Sequence, residues 1–228
     1  IATGPGHGIQ LTSGRLLVPV WLSLGTGGHA HRPSIISTIY SDDAGQTWRA
    51  GEIAVPNNET FVNPSESAVV ELADGRVMLN ARTESLPNRR VATYSRDGIS
   101  RWSTPEFVED LPEPICMASL VRWSASDKSK NRLLFCNPNN LEKATGEVQP
   151  GKGRDRKNLS LRVSADEGHS WSKGKTLEAG FSGYSDLTVL PDGTIVCFYE
   201  RGSIDSKSST KTGRLTIARI PPKWLGIE

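Results

Sequence analysis

Two pairs of chemically capable residues recur at one spacing. Glu66 precedes Arg82 by sixteen positions, and Tyr184 precedes Glu200 by sixteen. Each interval holds an apolar run, an Asp-Gly pair (Asp74-Gly75, Asp192-Gly193) and a second apolar run. Asp-Gly between such runs is a strong hairpin signal, because the tight turn needs positive φ. One hairpin then carries a carboxylate and a guanidinium at its open end, and the other a phenol and a carboxylate. Those groups can grip an anion and move a proton. If the open ends converge on one mouth, Glu66, Arg82, Tyr184 and Glu200 make a site.

The elements that must position them repeat. Strand, glycine turn and strand are expected at Gly8–Val20 around Ser13-Gly14, at Ser67–Asn80 and at Leu187–Tyr199. A second element is an octet, Ser-x-Asp-x-Gly-x-x-Trp, after a β-rich run: Ser41–Trp48 and Ser164–Trp171, with a degenerate copy at Ser95–Trp102 whose glycine comes one place early. In such an octet the Asp accepts bonds from nearby backbone N–H groups, Gly takes a left-handed conformation, and Trp folds back and buries a large area. Pairing the elements predicts four-stranded units at about 6–50, 66–105, 116–173 and 184–220. Radial repetition of such sheets is a β-propeller, and a β-sandwich is the competing all-β packing.

Composition agrees with an all-β chain. There are 228 residues with 22 Gly and 14 Pro, and no long stretch has helical periodicity. The net charge of +2 does not suggest a nucleic-acid binder. The basic cluster Lys152, Arg154, Arg156 and Lys157 is local and reads as a solvated loop within the long polar stretch Asn137–Lys157. Three widely spaced cysteines, Cys116, Cys136 and Cys197, form neither a disulfide framework nor a zinc pattern, and Cys197 reads as a core residue. No membrane span or leader is visible, though the chain begins at Ile1 rather than at a Met.

The octets resemble the Asp boxes of the sialidase (neuraminidase) family. The segments beginning at Gly4-Pro-Gly-His-Gly, Pro64-Ser-Glu-Ser and Tyr184-Ser-Asp-Leu, and the closing Leu215-Thr-Ile-Ala-Arg-Ile with Trp224-Leu225, are similar to bacterial exo-α-sialidases. The resemblance covers essentially the whole chain. It implies a six-bladed propeller, of which residues 1–228 supply about four blades as one domain. The family's N-terminal Arg-Ile-Pro segment and its acid/base Asp are not found; Arg219-Ile220-Pro221 spells those letters, but in the closing strand.

The resemblance also implies roles. Sialic acid bears a carboxylate on its anomeric carbon, which a neutral phenol approaches without the Coulombic cost an anionic nucleophile meets. Tyr184 is then the nucleophile and Glu66 the base that takes its proton; the tyrosine nucleophile is known family chemistry rather than a deduction from these residues. Arg82, in Asn80-Ala81-Arg82, matches the second arginine of a carboxylate-binding set. Arg156 is the candidate for the third, with Arg154 as alternative. Arg162 is expected to face outward or to pair within its strand. Glu200 would hold the family's first arginine, and without it the carboxylate would stay hydrated or rise in pKa.

Other residues read more blandly. His29 and His31 lie in a Gly-rich loop expected at the rim, where a metal site has no supporting cluster, and His7 is expected near the mouth. Asn63 and Ser65 flank Glu66 and could position water or hydroxyls. Asp186 is a tempting substitute acid that more plainly supports the neighbouring turn. Trp21 and Trp123 read as core or rim.

The implied activity is that of a retaining exo-α-sialidase acting on sialylated glycans, with no cofactor, nucleic acid or membrane span. The alternative is a propeller that binds an acidic sugar without cleaving it, since the acid/base Asp and first arginine are not found and the chain by itself could be inactive. A secreted or periplasmic location is favoured by resemblance alone. Open blade faces would call for the N-terminal blades or a second chain as partner, or else lead to aggregation.

Overall fold

The computed structural model describes residues 1–25, 31–124, 131–202 and 212–227. It contains two compact units, one of residues 1–109 with 149–152, the other of 110–148 with 153–228. Nearly all regular structure is antiparallel sheet.

The first unit holds two sheets. In one, β3 (Leu16–Ser23) pairs with β4 (Ser34–Ser41) along its length, and β5 (Arg49–Ala50) extends the sheet. The far side of β3 is covered by two short strands, β1 (Ala2–Thr3) and β2 (Ile9–Gln10). The expected Gly8–Val20 hairpin is therefore present, but its first strand is only two residues long. The other sheet runs in the order β6 (Ser67–Glu71), β7 (Val77–Ala81), β8 (Arg89–Ser95) and β9 (Glu106–Pro112). All five residues of β7 are buried, as expected for an inner strand covered on both faces. Leu17, Ile36, Val55, Val69, Val77, Leu79 and Val91 form the core.

In the second unit one six-stranded sheet follows chain order: β10 (Ser119–Trp123), β11 (Arg132–Pro138), β12 (Lys157–Ser164), β13 (Lys175–Val189), β14 (Ile195–Gly202) and β15 (Thr212–Ile220). Sequence reasoning expects a third and a fourth sheet separated near residue 180. The two are joined instead, because β13 is one strand of 15 residues. Its first half pairs with β12 and its second half with β14, with register shifts in both ladders. No proline interrupts this run, so both halves keep their donors for pairing. Leu134, Cys136, Leu161, Leu187, Cys197 and Ile220 build the core, as predicted for Cys197. None of the three cysteines is in a disulfide, and all three are buried. The opposite face of β14 and β15 leaves Phe198, Leu215 and Ile217 exposed.

Each octet closes a strand as a hydrogen-bonded turn. In the first, Ser41 Oγ donates to Asp43 and accepts from the Gly45 N–H, while Asp43 accepts from the Thr47 N–H (2.8 Å) and hydroxyl (2.6 Å). Ser164, Asp166, Gly168 and Ser170 repeat that pattern. In the degenerate copy Ser100 already bonds Asp97, one place early, and Arg101 at φ 49° follows before Trp102. A shortened turn is thus followed by a left-handed residue that restores the spacing to Trp. The expectation that every octet Trp is buried fails at Trp48, which is 44% exposed and donates to its own turn through Gly45 O. Trp171 is buried and packs edge-on against Phe135. Burial here follows what the neighbouring sheet offers the ring, not the octet.

Burial raises the Asp97 carboxyl, but bonds from the Ile99 and Ser100 N–H groups and the Ser100 and Ser95 hydroxyls outweigh it, lowering the pKa from 3.8 to about 2. A depressed folded pKa stabilises above the unfolded value, and that stability is lost as pH falls through the folded one. Asp97→Asn is expected to lower stability by about 1 kcal/mol at neutral pH, with the difference in Tm from the parent closing as pH drops from about 4 to about 2. A difference that does not change over that window contradicts the assignment.

Candidate functional site

In the first unit Glu66 and Arg82 stand just outside β6 and β7, where the hairpin pairing continues. The Arg82 N–H donates to Glu66 O (2.9 Å), and the Ser65 N–H to Arg82 O (3.0 Å). That register puts the side chains together, and Arg82 Nη1 donates to Glu66 Oε2, with both side chains about one-seventh exposed. Two residues that the sequence did not single out complete the group. Glu84 accepts from Arg32 through Nε and Nη2, and from Asn63 Nδ2 (3.0 Å). Burial raises the Glu84 carboxyl, but these bonds and the charges of Arg32 and Arg82 outweigh it and hold it below its usual range. Asn63, expected to position water or sugar, spends its amide on Glu84. Arg32 and Glu84 lie far apart in the chain, in no recurring pattern, so no sequence signal links them.

In the second unit Tyr184 sits where the β13–β14 ladder shifts register, between Ser182 and Ser185. Its N–H donates to Glu200 Oε2 (2.9 Å). By resemblance Glu200 would hold the family's first arginine, which is not found in this sequence; in the structure its carboxylate accepts from the backbone across the hairpin. Arg156 lies over the Tyr184 ring, its guanidinium carbon 5.2 Å from the ring centroid. Arg156 Nη2 is held by Ile115 O (3.0 Å), and Arg156 O accepts from the Ser182 N–H (3.1 Å). Arg154, the alternative, is bound to its own loop: Nε donates to Leu141 O (2.9 Å) and its N–H to Pro114 O (3.1 Å). Of the two, Arg156 is the one brought to Tyr184.

Three further expectations change. Arg154, Arg156 and Lys157 are half-buried rather than solvated, because the loop folds back through bonds such as Asp155 N–H to Glu142 O. Arg162 does not face outward: it is 3% exposed and donates to Asn137 Oδ1 (3.4 Å), and burial lowers its pKa. Asp186 accepts from the next residue's N–H within β13, whereas the nearby turn is held by Asp192 accepting from the Thr194 N–H. Trp123 is core and donates to Gly193 O; Trp21 is half-buried, its ring tilted by 40° against that of His31. His7 is exposed, and His29 lies outside the described residues.

Chemically, the first unit presents a carboxylate held by a guanidinium. The second presents a phenol with a cation over its ring and a carboxylate on its backbone. A forked guanidinium recognises a carboxylate in two parallel bonds, and a phenol is a nucleophile only when a base removes its proton.

Comparison with known proteins gives this chemistry a context. Residues 1–197 match the model of the BNR repeat-like domain. A sialidase of Micromonospora viridifaciens is 34% identical over 206 residues, and one of Bacteroides fragilis (strain YCH46) is 32% identical over 203. These alignments cover 87% and 86% of this chain but 28% and 33% of those proteins, so the chain spans about a third of the length of these relatives. Among solved structures, a Hadza microbial sialidase superposes with a TM-score of 0.70 at 28% identity, covering 95% of this chain and 37% of that one. The fold is all-β and of the sialidase β-propeller type, in three sheets of which the six-stranded one joins the expected third and fourth units. The chain belongs to the BNR repeat-like domain family, among the sialidases of bacterial type.

Proposed function

We propose that the protein is a retaining exo-α-sialidase that removes terminal sialic acid from glycoproteins, glycolipids or oligosaccharides. The observation that carries this reading is the Arg156 guanidinium over the Tyr184 ring, in a chain whose relatives are named sialidases. A cation fixed beside a phenol is what a sugar with a carboxylate on its reacting carbon requires. It neutralises the substrate's charge where the nucleophile must approach.

In this reading, with the roles that the family resemblance implies, Tyr184 Oη attacks the anomeric carbon while Glu66 takes the phenolic proton, and the glycosidic bond breaks as the leaving oxygen takes a proton from solvent. The resulting sialyl-tyrosine is then hydrolysed by water with retention of configuration. Arg82 and Arg156 bind the substrate carboxylate. Arg82 also holds Glu66 in place, so one guanidinium serves both substrate and base. Acid assistance to the leaving group is assigned to no residue of this chain.

Tyr184→Phe is expected to leave less than about 1% of kcat on a fluorogenic α-sialoside, as loss of a nucleophile does. Near-parental turnover would refute the assignment. Arg156→Lys keeps the charge but loses the fork, so kcat/KM is expected to fall about tenfold, mostly through KM. If the unsubstituted protein binds sialosides and releases no free sialic acid, the binding-module reading replaces this one.

A further inference from the structure

We propose that Gly183 and Glu200 form a brace that sets the position of Tyr184, with Gly183 acting as a positioning residue; the kinetic part of this inference rests on the sialidase reading above. The β13–β14 ladder is regular from Ser185 opposite Tyr199 to Val189 opposite Ile195, and then shifts before Ser182 opposite Arg201. Gly183 and Tyr184 occupy that shift and face the single residue Glu200. A bulge of this kind re-aims a side chain. Within it, the side-chain oxygen of Glu200 accepts the Tyr184 N–H (2.9 Å), and a charged acceptor makes that bond stronger than an ordinary ladder bond.

Gly183 makes room for the bond. It is not among the glycines with positive φ, so the turn conformation does not require it. Space does: a Cβ at 183 would fall on Glu200 Oε2 and lie 3.3 Å from its Cδ. The residue on the other side is fixed as well. The Ser182 N–H donates to Arg156 O (3.1 Å), and Ser182 Oγ accepts the Leu159 N–H (3.0 Å). Tyr184 is therefore held from the β14 side by Glu200, while Ser182 is tied to the segment that carries Arg156. The distance between phenol and guanidinium depends on both ties.

The displaced group in Gly183→Ala is the far end of a flexible side chain, so the carboxylate swings away and the sheet stays folded. The experiment compares the parent, Gly183→Ala, Glu200→Ala and the double variant. In Gly183→Ala, kcat is expected to fall about tenfold or more while KM changes less than about threefold, because small misplacement of a reacting group costs rate before binding. Adding Gly183→Ala to Glu200→Ala is expected to change kcat by less than about twofold, since both act through one contact. The Tyr184 amide proton, read by NMR in the same four proteins, is expected to move upfield in all three variants. Parental kcat in Gly183→Ala, losses that multiply in the double variant, or an amide unmoved by Glu200→Ala would each overturn the inference. An inactive parent would count against the sialidase reading alone, because the amide shift still judges the brace.

Discussion

Antiparallel pairing in two tight hairpins is the constraint on which the candidate site depends. With Asp-Gly at the turn, residues sixteen apart are carried to the open end on adjacent strands, and the ladder decides which atoms meet. At one hairpin the pairing continues past β6 and β7, so the Arg82 N–H bonds Glu66 O, the Ser65 N–H bonds Arg82 O, and the side chains of Glu66 and Arg82 close an ion pair. At the other the ladder slips by a residue, so Tyr184 meets Glu200 through its amide instead. The same spacing therefore yields a carboxylate–guanidinium pair in one unit and a braced phenol in the other.

Arginine is used in two distinct ways. Arg90 and Arg162 are buried within their sheets, and each is held by an asparagine on the preceding strand, Arg90 by Asn80 and Arg162 by Asn137. Burying a guanidinium is costly unless polar partners meet it, and the asparagines supply part of that. Arg82 and Arg156 lie nearer the surface. They are half-buried and oriented by a carboxylate and by a backbone carbonyl, respectively. Such fixed cations lose little further freedom when they bind an anion, which favours recognition over flexible surface charge.

Much of this was legible in the chain because it rests on local physics. Asp-Gly turns, alternating strands and the octets were readable, since positive φ, period-two burial and Asp-to-backbone bonds are properties of a few consecutive residues. Arg156 could be ranked above Arg154 only through the family resemblance, and the loop's internal bonds then showed which of them reaches Tyr184. The continuous β13 was not legible, because nothing in Lys175–Val189 marks where pairing passes from β12 to β14. The exposure of Trp48 was not legible either, since a ring's burial depends on the surface opposite it.

By itself the sequence determined the all-β class, the repeated turns and the chemical identities of Glu66, Arg82, Tyr184, Arg156 and Glu200. Only the tertiary structure decided which groups meet: Arg82 on Glu66, Arg32 and Asn63 on Glu84, the Ile115 carbonyl under Arg156, and the gap at Gly183 that admits the Glu200 carboxylate. Turn and strand formation depends on the conformational preferences of adjacent residues, which sequence carries directly. Side-chain partnership depends on register, bulges and loop return, each set by pairing between segments far apart in the chain.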